Sequence, residues 1–269
     1  MHLVDTHTHL YQPAFDGNRA EAMVRCKELG VDLLLLPNID AESIPRVNDM
    51  MNRWPHHCCG MMGLHPCHVG DGWQEELATI EEVLRNPNPA SPWVAVGEVG
   101  LDLHWETSTL PSQIEALRIQ LQWAKDLSLP AVIHVRKAFD ELFEVLDEEV
   151  DERLTGVIHC FTGTAEQAEK ALAYPGWMLG IGGVATYKNG GLFELLPSIP
   201  LERMVLETDS PYLSPVPHRG KRNESSYVAL VADTVARAKG LAVEEVAQVT
   251  TANAQRLFQL KDHPVMARS

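Results

Sequence analysis

The stretch "LVDTHTHL", residues 3–10, sets Asp5, His7 and His9 at alternate positions of an otherwise apolar run. Side chains two apart on an extended strand point the same way, so the two imidazoles can converge on one ligand. Further residues of metal-ligating type close later apolar runs: Glu98 in "VAVGEVG", His134 in "VIHVR", His159 in "VIHCF" and Asp209 in "LETDS". Four imidazoles and two carboxylates suit divalent Zn, Mn, Fe or Co, whereas an all-oxygen set points to Mg or Ca. Singly, each has an ordinary explanation: a hydrogen-bonded core histidine, an acceptor in the glycine-flanked turn around Glu98, an Asx turn at Asp209. Together they require a scaffold that gathers six distant positions.

The chain supplies one. Short apolar runs recur at 3–9, 31–37, 58–64, 93–98, 130–135, 156–161, 178–182 and 203–208. Runs such as "VDLLLLP" are nearly continuous in apolar character, as parallel strands covered on both faces are. Helical patterns lie between them. The clearest places Ile114, Leu117, Leu121, Ala124 and Leu127 on one face, with Pro111 and Ser112 at its start and Pro130 at its end. Eight strand-then-helix units predict a single (β/α)8 TIM-type barrel over residues 1–260, followed by a C-terminal tail at 261–269. A doubly wound open sheet is the structural alternative, but it usually has fewer strands, and no GxGxxG loop follows the first run.

On a barrel, His7 and His9 close the first strand, Glu98 the fourth, His134 the fifth, His159 the sixth and Asp209 the eighth. All six then reach the C-terminal face, where the loops build active sites. Asp5 shares the inward side with His7 and His9 but lies deeper, as a supporting acceptor. A carboxylate can bridge two ions about 3.5–4 Å apart, so the set has room for two.

Composition narrows the partners. A formal charge of −15 excludes a broad basic face that grips a polyanion, so attraction for a phosphate ester must come from bound cations. The 45% apolar content allows a large core. Five cysteines without a CxxC pair indicate neither a disulfide framework nor a thiolate zinc cluster, and with no apolar run of membrane-spanning length they point to a cytoplasmic protein.

The ordered set "DTHTHL", "GLHP" (63–66), "GEVGLD" (97–102), "VIHVR" (132–136), "HCFTG" (159–163), "LETDSPYL" (206–213) and "PHRGKRNE" (217–224) closely resembles the TatD family of metal-dependent deoxyribonucleases, in the amidohydrolase-like barrel superfamily. The resemblance covers nearly the whole chain. It implies that His7, His9, Glu98, His134, His159 and Asp209 hold two divalent metal ions (Zn, Mn or Mg), with Glu98 as the bridge. The implied activity is hydrolysis of phosphodiester bonds at DNA ends, on single strands or duplex termini.

The catalytic assignment follows as a hypothesis. Metal ions lower the pKa of a water and polarise a phosphodiester oxygen, while Asp209 on the rim takes the water's proton as general base. Arg136 shares the side of His134 and could clamp a phosphate, as could His65 in "GLHP"; a rim ion pair and a turn-stabilising histidine are the plainer uses of these two. His218, Arg219, Lys221 and Arg222 form the strongest local basic cluster, able to guide a nucleic-acid backbone or simply to pair with Glu224. Trp105, Phe161, Tyr187 and Tyr212 fall on loops of the same face, where they could stack on bases or cap the barrel. His68 is expected at the surface, and Cys160 is expected to point away from His159 as a small core residue. Two other functions fit the same site: hydrolysis of a cyclic amide, lactone or aminoacyl ester, and a non-catalytic metal-loaded interaction module.

Overall fold

The eight apolar runs fold as parallel strands: β1 (Leu3–Asp5), β2 (Val31–Pro37), β3 (Cys58–Met61), β4 (Val96–Asp102), β5 (Ala131–Arg136), β6 (Gly156–Ile158), β7 (Trp177–Ile181) and β8 (Met204–Leu206). This computed structural model describes residues 1–105, 107–260 and 263; the expected tail, apart from His263, lies outside the described residues. Helices α1 (Arg19–Glu28), α2 (Ile44–Arg53), α3 (Trp73–Arg85), α4 (Leu110–Leu127), α5 (Phe139–Glu149), α6 (Ala165–Ala173), α7 (Leu192–Leu195), α8 (Val228–Lys239) and α9 (Val243–Leu257) alternate with them. Local chemistry sets their ends. Pro111 occupies the first turn of α4, where its missing N–H costs nothing, and Ser128 leaves the helix in a left-handed conformation (φ 54°) two residues before Pro130. A reciprocal capping box between Thr164 and Gln167 starts α6.

The arrangement is the (β/α)8 barrel, although its ladders form two arcs, β1-β2-β3 and β4-β5-β6-β7-β8, and not one closed ring. Isolated bridges, Met62–Val96 and Thr8–Ser210, span the two seams. Around the second, Asp209 N donates to His7 O at 2.9 Å and His9 N to Ser210 O at 2.7 Å, drawing the two chain regions together.

Strand alternation sorts the apolar residues into two layers. Val4, Leu33, Leu35, Cys59, Met61, Ala95, Val132, Val157, Met178 and Val205 fill the barrel interior, and Leu257, Phe258 and Leu260 cover its N-terminal end. The opposite faces of the same strands pack on the helices, with Leu3, Leu34, Ile133 and Leu179 against residues such as Leu117, Leu142 and Val231. With one end plugged by hydrocarbon, polar chemistry is confined to the other.

Three sequence expectations need correction. Regular pairing of the first strand stops at Asp5, so His7 and His9 lie beyond it. Asp5 falls on the side of Leu3 and not on the inward side, because alternation does not carry across that break; it accepts from Thr208 N (2.9 Å) and Thr208 Oγ1 (2.6 Å). Burial pushes its carboxyl up to about 8. Third, β4 does not end at Glu98 but runs on to Asp102, because Gly100, Leu101 and Asp102 continue to pair with β5. Among the described residues no helix is long and apolar enough to cross a membrane.

Candidate metal centre

Glu98 reaches the interior by a local irregularity. The β4–β5 register shifts between Val96 and Val99, a bulge that re-aims the intervening side chain. Two glycines let the strands approach closely there: a Cβ on Gly97 would meet Val132 at 2.6 Å, and one on Gly100 would lie 1.9 Å from His134 O. Asp209, three residues past β8, sits in the left-handed region at φ 56°, a strained placement of the kind that gathers at functional sites. His159 follows β6 directly, and His134 lies within β5.

These residues meet around the buried Glu98 carboxylate. Its Oε1 lies 2.8 Å from His159 Nε2, 3.0 Å from His134 Nδ1 and 3.3 Å from His65 Nε2. Its Oε2 lies 3.2 Å from His7 Nε2 and 3.5 Å from His9 Nε2. Asp209 Oδ1 closes the second side, 3.4 Å from His9 Nε2 and 3.8 Å from His7 Nε2. Three overlapping groups, His7–His9–Glu98, His7–His159–Asp209 and His65–Glu98–His134, each bring ligand atoms within 4.8 Å of one another. All six residues expected as metal ligands are therefore together, and His65 joins them.

The electrostatics fit a cation. Burial lowers the pKa of His7, and burial brings His65 down to about 4, so these imidazoles stay neutral. Burial acts the same way on His134 and His159 but is outweighed, by Asp102 and Glu98 for the first and by Glu98 and Glu207 for the second, and both rise. Burial pushes Glu98 up, yet the surrounding imidazoles of His159, His65 and His7 hold it well below the usual carboxylate range. Asp209 is lowered likewise, its burial outweighed by His9, His7 and His159. Ionised carboxylates among crowded imidazoles, with His134 Nδ1 and His159 Nε2 facing each other at 3.4 Å, form a donor set suited to divalent ions.

Hydrogen bonds behind the rings decide which nitrogen faces inward as a lone pair. Tyr11 Oη donates to Pro37 O at 2.8 Å, so it can only accept from His9 Nδ1–H at 2.9 Å, which selects the neutral tautomer whose lone pair is on Nε2. His134 Nε2 donates to Asp102 Oδ2 at 2.9 Å and turns Nδ1 toward Glu98. Glu207 Oε1 stands 3.5 Å from His159 Nδ1. His65 is the reverse case: its Nδ1 accepts from Cys67 N at 3.0 Å, so the neutral ring carries its proton on the inward Nε2.

A family profile described as "TatD related DNase" matches residues 4–259. The chain belongs to that family. It is a metal-dependent hydrolase of the TatD type. An uncharacterized metal-dependent hydrolase, YabD of Bacillus subtilis (strain 168), is 38% identical over 96% of this chain and 99% of its own length. A 3'-5' ssDNA/RNA exonuclease TatD of Erwinia billingiae is 33% identical over 96% of this chain and 99% of its own. The crystal structure of YjjV, a TatD homolog from Escherichia coli K12, superposes with a TM-score of 0.89 at 29% identity, covering 96% of this chain and 98% of that one.

Within this TatD-type barrel His9, His65, Glu98, His134, His159 and Asp209 of the candidate set open into a cavity of about 550 Å³ that Arg136, Trp105 and Tyr212 also line. Other expected positions fall elsewhere. Phe161 is buried in the core, and Tyr187 is covered by Arg219, 3.9 Å from its ring. Arg222 lies over Phe15 and donates to Glu224 Oε1 at 3.0 Å, and His218 stacks on Tyr227, so most of the basic cluster is engaged with neighbouring side chains. His68 is exposed, as expected, at the rim of the cavity, and pairs with Asp40 at 3.2 Å. Cys160 lines it too, because β6 ends at Ile158 and the left-handed backbone at Cys160 (φ 45°) cancels the alternation. Asp102, Glu207 and Tyr11, each behind a candidate ligand, are absent from the sequence-based site. Asp102 was within reach, since it lies four residues from Glu98 on the same strand and so shares its side.

Proposed function

We propose that the protein is a metal-dependent phosphodiesterase that hydrolyses nucleic-acid ends, DNA in the first instance, in the cytoplasm. The observation that carries this reading is the split of the Glu98 carboxylate, with one oxygen toward His134 and His159 and the other toward His7 and His9. That arrangement suits two divalent ions, Zn, Mn or Mg, with Glu98 between them and Asp209 completing the His7–His9 side. Bound there, such ions supply a water acidic enough to ionise near neutral pH and a counter-charge for the phosphoryl group. The barrel of residues 1–260 is the catalytic unit, and the name of the Erwinia billingiae relative supports nucleic acid as its substrate.

The chain's own residues do the rest. Asp209 stays ionised and takes the proton of the attacking water, a short transfer from the rim of the cavity. His65, with Nε2–H aimed inward, donates to a phosphate oxygen; its protonated inward face suits that role better than ligation. Arg136, exposed on the rim, offers a bidentate clamp to the same phosphate.

Titration of a chelator against cleavage of end-labelled single-stranded DNA tests the reading. Activity should vanish with the metal and return on adding it; full activity in metal-free enzyme would overturn it. Arg136→Ala should lower kcat/KM for DNA by about 10–100-fold, the worth of a charge-assisted hydrogen bond. Hydrolysis of a neutral ester should change far less, and an equal loss on both would favour the small-ester alternative.

A further inference from the structure

Most aromatic side chains of this chain are buried or partly covered, but two are not. Trp105 is 73% exposed and Tyr212 53% exposed, and both line the cavity above the metal-ligand set. They stand at different sides of it. Tyr212 lies edge-on to His9, ring centroids 6.0 Å apart, and its N–H donates to Asp209 O at 2.8 Å. Trp105 follows the strand end that carries Asp102, the partner of His134, and lies 5.5 Å from the Arg136 guanidinium. Leu213, 40% exposed, extends the apolar rim beside Tyr212. The backbone under both rings is pinned: Asn223 Nδ2 donates to Tyr212 O at 2.6 Å, and His104 N to Asp102 Oδ1 at 2.8 Å.

Resting on the phosphodiesterase reading above, we propose that Trp105 and Tyr212 are two stacking platforms that hold the unpaired bases on either side of the scissile phosphate, so that the site selects single-stranded ends. A phosphate seated between the His7–His9 and His134–His159 sides has one neighbouring nucleoside toward each ring. Arg136 beside Trp105 pairs a cation for the backbone with an indole face for the base. In a duplex the inner of these two bases is stacked on both faces and the terminal one on its inner face, with the edges of both paired, so two rings cannot engage them together. Stacking is also the affinity this chain has left. Its net charge is −15, and Arg219, Arg222 and His218 are engaged with the rings of Tyr187, Phe15 and Tyr227, Arg222 also with Glu224. Each aromatic platform is worth about 1–3 kcal/mol per base and is blind to base identity, so the prediction is strand selection without sequence selection.

The test is a double-mutant cycle between ring and base, run on the metal-loaded enzyme. Substrates are end-labelled single-stranded oligonucleotides carrying an abasic sugar on one side or the other of the terminal phosphodiester. In the wild type, an abasic position should reduce kcat/KM about 5- to 150-fold, mainly through KM. Trp105→Ala and Tyr212→Ala should each suffer a loss of that size on the intact strand and little further loss when the matching base is removed. Trp105→Phe and Tyr212→Phe, which keep a ring, should recover most of it. Losses that simply add, or a wild type indifferent to the abasic position, would overturn the proposal while leaving the phosphodiesterase reading standing. A wild type that cleaves no nucleic acid in any metal would overturn both.

Discussion

Two histidines in this cluster resemble one another by sequence and differ by a single hydrogen bond. His9 donates its Nδ1–H to Tyr11 and turns a lone pair inward, whereas His65 Nδ1 accepts a hydrogen bond from the Cys67 backbone N–H and the ring turns an N–H inward. The first geometry makes a ligand and the second a donor. Tyr11→Phe removes the hydroxyl, and with it both the acceptor for His9 and the donor to Pro37 O, in a buried position where the ring still fits. It should weaken divalent-metal affinity by about 10–100-fold, as loss of a partner behind a ligand commonly does, with little change in fold. Calorimetric metal titration and circular dichroism check both halves, and unaltered affinity would show that the tautomer needs no such support. Protons give a second prediction. Burial lowers the pKa of His134 and His159, but Asp102, Glu98 and Glu207 outweigh it, so both rings hold a proton more tightly than a free imidazole and a cation must compete with it. Binding should therefore release protons and tighten as pH rises from about 6 to about 8, which titration in buffers of different ionisation enthalpy would reveal.

Among the elements, α4 acts as a clamp on two strand ends. Gln113 and Gln120, seven apart on its buried face, each present an amide to the backbone as a neighbouring strand would. Gln113 accepts from Asp102 N at 2.8 Å and donates to Asp102 O at 3.1 Å; Gln120 does the same for Leu64, at 2.7 and 3.3 Å. Leu64 precedes His65, and Asp102 holds His134, so one helix face sets the position of both. Gln113→Leu strands a buried N–H and C=O and should cost about 1–3 kcal/mol of stability. Because Asp102 would also lose its register, metal affinity should fall with it. Thermal unfolding and metal titration of the same variant test the link; lost stability with unchanged affinity would mean that Asp102 is held by β5 alone.

Across the whole molecule, apolar and polar ends are separated along the barrel axis. Phe258, 2% exposed, and Leu260 seal the interior at the N-terminal end, far from the ligands at the other. Phe258→Ala should destabilise the fold by about 3–5 kcal/mol through lost packing and the cavity left behind, yet leave metal stoichiometry intact. Conversely, an ion that binds only the folded barrel stabilises it by about 4 kcal/mol at a thousandfold excess over Kd. The melting temperature should therefore climb with metal concentration, and a melting point indifferent to Zn, Mn and Mg would argue against a site formed by folding.

The residue pattern alone carried the barrel and its six candidate ligands, because strand alternation and the βα repeat are local periodicities written along the chain. It even ordered them around the rim, since the C-terminal ends of parallel strands share one face. What lay outside its reach was set by contacts between distant segments. Tyr11 supports His9 only because the Pro37 carbonyl accepts the hydrogen bond of its hydroxyl, and Glu98 faces inward only because β4 bulges beside Gly97 and Gly100. Asp5 turned to the helix side and Phe161 to the core for the same reason: alternation ends where a strand ends, and the neighbours in space choose the direction after that.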